Sequence, residues 1–305
     1  MSEQKDKKYV KEWSFSFDKL SDQIGDFFKS VGVSAQDMQD AIQHGQFSAP
    51  LAGGTSARVR LDLSVGEATI KPLAAASTNL IEADLTYVGE IKFVTEGETE
   101  RVVHLAQVAG ASDWFRSFFS WVGSRRALRW DIALSPALPM DLEIHTGVGE
   151  SDLDLSALNV TALRVSGGTG EIELTLPGAS SAYAATINSG VGETTLTLPD
   201  NVTADLQVRM GTGESTLRFG ENISATVEMS GGIGECTLIF PEGAAVRIEG
   251  KQGIGAVRVP ARFARLGGAD GAWNSSGVWQ TVNYDAAERK IAVTYAGGIG
   301  ELHVK

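Results

Sequence analysis

One interval governs this sequence: Gly-x-Gly recurs with its first glycine at 147, 168, 190, 211, 232, 253 and 298, in steps of 21, 22, 21, 21, 21 and 45 residues. A fixed period of this length marks an array of stacked repeats, each one a supersecondary unit. The flanking positions repeat with it. Six residues after the first glycine stand Leu153, Leu174, Leu196, Leu217, Leu238, Val259 and Val304, and five before it Leu142, Leu163, Ala185, Leu206, Val227, Ile248 and Val293. Two further on from the first set come Leu155, Leu176, Leu198, Phe219 and Phe240, with polar residues such as Thr195, Thr216 and Thr237 nearby. Apolar and polar residues alternate with period two, so a half-buried strand is expected on each side of the glycines.

The glycines read as a structural corner followed by a glutamate. The set is Gly147, Gly149 and Glu150; Gly168, Gly170 and Glu171; Gly190, Gly192 and Glu193; Gly211, Gly213 and Glu214; Gly232, Gly234 and Glu235; and Gly298, Gly300 and Glu301. At Gly253 the series lapses, because Ala256 replaces the acid. The residue between the glycines is Val148, Thr169, Val191, Thr212, Ile233, Ile254 or Ile299, always β-branched, and an inward direction is expected for it. Pro177, Pro199 and Pro241 follow the second strand and, lacking an N–H, mark its end. The fold class that follows is mainly β: a single-stranded β-solenoid of ~21-residue coils, right-handed by the crossover rule, with an N-terminal helical segment. The 45-residue gap reads as two repeats plus an insertion supplied by Phe263 to Trp279.

Four stretches are expected. Residues 1–50 form a helical segment, since Phe17, Leu20, Ile24, Phe27, Phe28 and Val31 keep helical spacing and Ser34 to His44 suits a second short helix. It serves either as a cap on the stack or as a partner-binding element. Residues 51–110 carry weaker echoes of the repeat, Val65-Gly66-Glu67 and Val88-Gly89-Glu90, and read as a divergent β region at its head. Residues 111–130 are an aromatic, arginine-rich loop or helix, and 131–305 are the solenoid proper. In the third stretch Trp114, Phe115, Phe118, Phe119, Trp121, Arg125 and Arg126 are the candidates for contact with a partner or a membrane surface, alongside Trp130 and Arg129. Packing of those aromatics onto the N-terminal segment is the competing reading. The chain stops at Lys305, seven residues into a repeat, so an open C-terminal end and self-association through it are expected.

Charge narrows the function. With 26 Lys and Arg against 38 Asp and Glu the net charge is -12, which repels phosphate backbones and argues against nucleic acid. Cys236 is the only cysteine, so no internal disulfide forms. Met1 to Lys11 is charged with no apolar stretch behind it, and no run nears the ~18–20 apolar residues of a span, so a cytoplasmic location is expected. No Walker loop, His-Glu-x-x-His or Gly-x-Ser-x-Gly occurs, and no Gly-x-Gly has the third glycine of a dinucleotide site. Cofactor, metal and catalytic residues are all expected to be none. His44, His104, His145 and His303 are scattered, and Cys236 takes a strand position filled elsewhere by Ser151, Thr194 and Ser215. The glutamates, stacked at ~4.8 Å, form a like-charge ladder with raised pKa unless each accepts corner N–H groups or a cation joins them. Asp152, Asp154 and Glu173 are the acids an outer-face polysaccharide-active enzyme would use.

The run Trp130 to Ile144, then Gly147-Val-Gly-Glu-Ser-Asp-Leu-Asp-Leu-Ser-Ala-Leu158, Leu163-Arg-Val165 and Gly168-Thr-Gly170, resembles bacterial toast-rack proteins. These are related to LiaF-like, cell-wall-active-antibiotic response domains and to adhesin-like β-helix repeats. Leu51 to Leu105 is similar to the N-terminal portion of toast-rack, and the likeness extends over about residues 51 to 305. It implies a non-enzymatic scaffold in an envelope-stress response of the phage-shock or two-component kind, with protein partners and peripheral membrane contact, and no catalytic residues to transfer. A surface adhesin or carbohydrate-binding protein is the alternative.

Overall fold

The computed structural model describes residues 42–108, 128–178, 182–269 and 273–305. Among them there is no helix; nineteen strands join in one hydrogen-bonded sheet. The head contributes β1 (Ile42–Pro50), β2 (Ser56–Asp62), β3 (Glu67–Pro72), β4 (Asn79–Val88), β5 (Glu90–Glu96) and β6 (Glu100–Val108). There follow β7 (Arg129–Leu134), β8 (Met140–His145), β9 (Val148–Asp154), β10 (Val160–Ser166), β11 (Thr169–Thr175), β12 (Tyr183–Asn188) and β13 (Val191–Leu198). From here the strands run unbroken through the glycines: β14 (Thr203–Phe219), β15 (Ser224–Ile239) and β16 (Val246–Arg258). The chain ends in β17 (Phe263–Ala269), β18 (Trp273–Thr281) and β19 (Ile291–Val304).

Successive repeats pair in parallel with like residues opposite. Before the glycines Val59, Leu142, Leu163, Ala185, Leu206, Val227, Val293 and Ile248 fall in one register. After them Ile70, Leu153, Leu174, Leu196, Leu217, Leu238 and Val304 do the same. These side chains are buried and form one apolar core, so each repeat covers the inner face its neighbour cannot bury alone. Phe219 and Phe240 stack face to face with centroids 4.6 Å apart, extending the core to the far corner. β2 and β3 pair in parallel with β8 and β9, so the Val65-Gly66-Glu67 echo is a true repeat at the head. A further repeat lies outside it: β6 pairs in parallel with β2, and β7 with β3.

Both ends of the stack are closed by antiparallel strands. At the head, β5 covers β6, β4 covers β7, and β1 covers β4. At the other end β18 covers β16 and β17 covers β18. Three expectations are corrected here. Residues 42–50 are strand β1, not helix, because pairing with β4 buries Ala49 and packs Phe47 against Phe93 and Tyr87; the rest of the expected helical segment lies outside the described residues. Trp130 belongs to β7 and is fully buried, its indole N–H donating to the Val65 carbonyl at 3.3 Å, so it is core rather than contact surface. The C-terminal strand is not an open edge. β19 lies between β15 and β16, bonded to both, so the 45-residue gap is a detour through β17 and β18 followed by a return into the stack.

Candidate functional site

The glycine corner owes its composition to vertical stacking. Gly149, Gly170, Gly192 and Gly213 have φ between 131° and 143°, a region that side chains resist. Each also sits directly on the carbonyl oxygen of its counterpart in the preceding repeat, where a Cβ would overlap that oxygen. Backbone N–H groups beside the corner are spent between repeats: Thr169 donates to Gly147 (2.9 Å), Val191 to Gly168 (2.9 Å) and Thr212 to Gly190 (3.0 Å).

The side chain between the glycines points outward, which corrects the expected inward direction. Val148, Val191, Ile233, Ile299 and Ile254 are 38–55% exposed. In register with Thr169 and Thr212 they form one column on the outer surface. Parity already required this: Val148 lies two residues from Glu150 and shares its face, whereas Ser151 and Leu153 take the other and are buried. β-branched apolar residues suggest interior, and that habit hid the alternation.

Beside this column runs the acid column. Glu150, Glu171 and Glu193 pair in succession, Glu193 with Glu214, and Glu235 with Glu301. Ala256 pairs with Glu301 and so stands at the end of the ladder. Glu150, Glu171, Glu193 and Glu214 accept no hydrogen bond among the described residues, so the corner does not tie them to its N–H groups. Partial burial, and then the charges of Glu193, Glu150 and Glu173, push the Glu171 carboxyl above its ordinary range. Partners appear only at the far end, where Glu301 accepts from Arg258 (3.0 Å) and lies 2.9 Å from His303, while Glu235 accepts from Thr237 (3.3 Å). A third column holds Asp152, Glu173, Thr195, Thr216, Thr237 and His303.

The outer face of the first strands is arranged differently. Arg60 bonds Asp62 (3.0 Å) and Glu143 (3.3 Å), His104 lies 2.7 Å from Asp62, and His145 2.6 Å from Glu143. Arg58 pairs with Glu100, and Arg164 approaches Asp141. Partial burial opposes ionisation of Asp62, but hydrogen bonds from Arg60 and His104 outweigh it and hold the carboxyl below its ordinary range. The hydrogen bond with His145 does the same for Glu143, helped by the charge of Arg60.

The residues weighed for chemistry take structural places. Asp154 accepts from the Ser156 N–H (3.0 Å), and Asp152 and Glu173 are neighbours on an open surface. Cys236 is buried, with burial and then the charge of Glu235 pushing its thiol up to about 12, so it stays protonated at neutral pH. It borders a small recess, open to solvent, lined by Met210, Ile233, Tyr295, Ile299 and corner glycines. Among the described residues no group of three or more His, Cys, Asp or Glu is placed to hold a metal ion, and no helix is long and apolar enough to cross a membrane. Trp114, Phe115, Phe118, Phe119, Trp121, Arg125 and Arg126 lie outside the described residues.

No curated protein matches this chain. Solved structures similar to it include two crystal structures. One is of a candidate cell adhesion protein from Clostridium sporogenes ATCC 15579, with 18% identity, a TM-score of 0.40, and coverage of 87% of this chain and 99% of that one. The other is of a candidate adhesin from Bacteroides fragilis NCTC 9343, with 13% identity, a TM-score of 0.42, and coverage of 87% and 97%. The family model for the N-terminal domain of toast-rack (DUF2154) matches residues 37–197, which is more than half of the chain. The chain belongs to the toast-rack family.

Proposed function

We propose that this protein is a non-enzymatic interaction scaffold of a bacterial envelope-stress response, of the phage-shock or cell-wall-antibiotic kind. The observation that carries the reading is an exposed column of valines, isoleucines and threonines beside a column of carboxylates that stands unpaired from Glu150 to Glu214. Surfaces that expose contiguous apolar side chains rimmed by charge mark sites of association. The stack itself is read as a single-stranded β-solenoid, supported by the parallel, like-on-like register of its repeats, and as right-handed by the crossover rule alone. The protein works in the cytoplasm at the inner face of the membrane, where Trp114 to Arg126 make peripheral contact.

The test is photo-crosslinking in a bacterium that expresses the chain, with the reactive group at Val191 or Ile233 and at Glu249 on the first-strand face as control. The reading expects crosslinks from the corner positions to a component of an envelope-stress system, strengthened by cell-wall antibiotic. Equal labelling from all three positions, with or without antibiotic, overturns it.

A further inference from the structure

The geometry points to one kind of partner: we propose that the corner face is a docking surface for a cationic amphipathic α-helix of a protein partner, laid along the stack axis. This rests on the scaffold reading above and names the chemistry of its partner.

Shape selects the helix. From Val148 to Ile254 the exposed column has seven positions and therefore six steps. At ~4.8 Å per step it is about 29 Å long, the length of a helix of roughly 20 residues. A helix repeats a face every ~5.4 Å, close to the ladder spacing, so an aliphatic stripe can meet the column at nearly every layer. An extended peptide repeats a face every ~6.7 Å and loses the match within about two layers. The column is also on the outside of strands whose backbone groups are already paired, which leaves no edge for strand addition.

Charge selects the sign. Glu150, Glu171, Glu193 and Glu214 have no cation beside them among the described residues, and they lie two residues from the aliphatic column on the same face. A second copy docking by this same face would bring two carboxylate columns together. Nucleic acid and anionic lipid are repelled for the same reason. A helix with Lys and Arg along one side of its apolar stripe satisfies both columns, its long side chains reaching the acids while their stems lie on the valines and isoleucines.

The experiment uses the full chain and two synthetic 20-residue peptides of identical Leu and Lys content. One has a leucine stripe at helical spacing; the other is shuffled to remove it. Fluorescence anisotropy at physiological salt should show the striped peptide binding about ten-fold more tightly. The double substitution Val191→Asp with Ile233→Asp should weaken that binding at least about ten-fold, and Glu171→Gln with Glu193→Gln about three-fold with a shallower salt dependence. Glu228→Gln with Glu249→Gln, on the first-strand face, should leave it unchanged. Val191→Thr with Ile233→Thr copies residues the column already holds and keeps the test valid if the aspartates disturb folding. Equal affinity for the two peptides, or wild-type affinity in both the aspartate and threonine variants, overturns the assignment. Corner crosslinks in cells without preference for the striped peptide would leave the scaffold standing and remove the helix; the reverse pattern would do the opposite.

Discussion

The two outer faces of this stack are built from the same repeat, yet they treat charge in opposite ways. On the first-strand face, positions in vertical register alternate in sign: Arg60 stands against Glu143, and Glu143 against Arg164. Cross-strand neighbours there attract, and the cluster around Asp62 ties three layers together. On the second-strand face Glu150, Glu171, Glu193 and Glu214 stand in one column and repel. The first arrangement serves the fold. The second works against it at Glu171, and the proposed docking role is what such a cost to stability would serve.

Five substitutions sharpen or break this comparison. The largest effect is expected at the corner that fixes the acid column in place. Gly192→Val forces a side chain onto the Gly170 carbonyl at a φ of 131°, and should cost about 3 kcal/mol or more in urea unfolding. Gly243→Val, in open space with ordinary φ, should change stability by no more than about 0.5 kcal/mol. If the two behave alike, vertical contact is not what selects glycine. Next comes Arg60→Glu, which turns the compensated cluster into a like-charge one. A loss of about 1 kcal/mol at neutral pH is expected, shrinking in high salt; no loss would mean that face is not held by its ion pairs.

The smallest effect has the opposite sign. Glu171→Gln should stabilise the protein by roughly 0.2–1 kcal/mol at neutral pH, since the group is exposed and its repulsion is screened. The pH dependence separates the faces. Glu171 has a folded pKa above its unfolded one, so its ionisation destabilises; the penalty is complete above the folded value and disappears as pH falls to the ordinary glutamate range. Asp62 has a folded pKa below its unfolded one, so its contribution is complete above the ordinary aspartate range and is lost as pH falls through the folded value. Denaturation of Glu171→Gln and Asp62→Asn across acid pH should therefore show the gain of the first vanishing before the loss of the second. Parallel curves would contradict the contrast.

Much of this was legible in the chain. The register of the core was fixed by leucines at a 21-residue period, since parallel pairing of like positions is the arrangement that buries Leu153, Leu174, Leu196 and Leu217 together. The order of the last layers was not. Val227, Val293 and Ile248 present nearly the same apolar shape to a neighbour, so nothing local says that the second in sequence is last in space and the third lies between the other two. The missing acid at Ala256 was the available clue. Strand β1 escaped notice because Gly45 and Pro50 disfavour strands, and only pairing with the distant β4 overrides them. The candidate face was half visible: the glutamate column showed in the period, while its aliphatic companion was assigned to the interior by residue type.

The position of β19 bears on how such a molecule assembles. Chains built of stacked units can close like a zipper, each new turn settling on the one just made. Here that order is interrupted after β15: β16 comes next in the chain, yet its parallel partner is β19, which is made last. Residues 291–304 bridge the two, bonded to β15 on one side and to β16 on the other. A repeat added by duplication at the tail would therefore begin beside an inner strand and not at an end of the array.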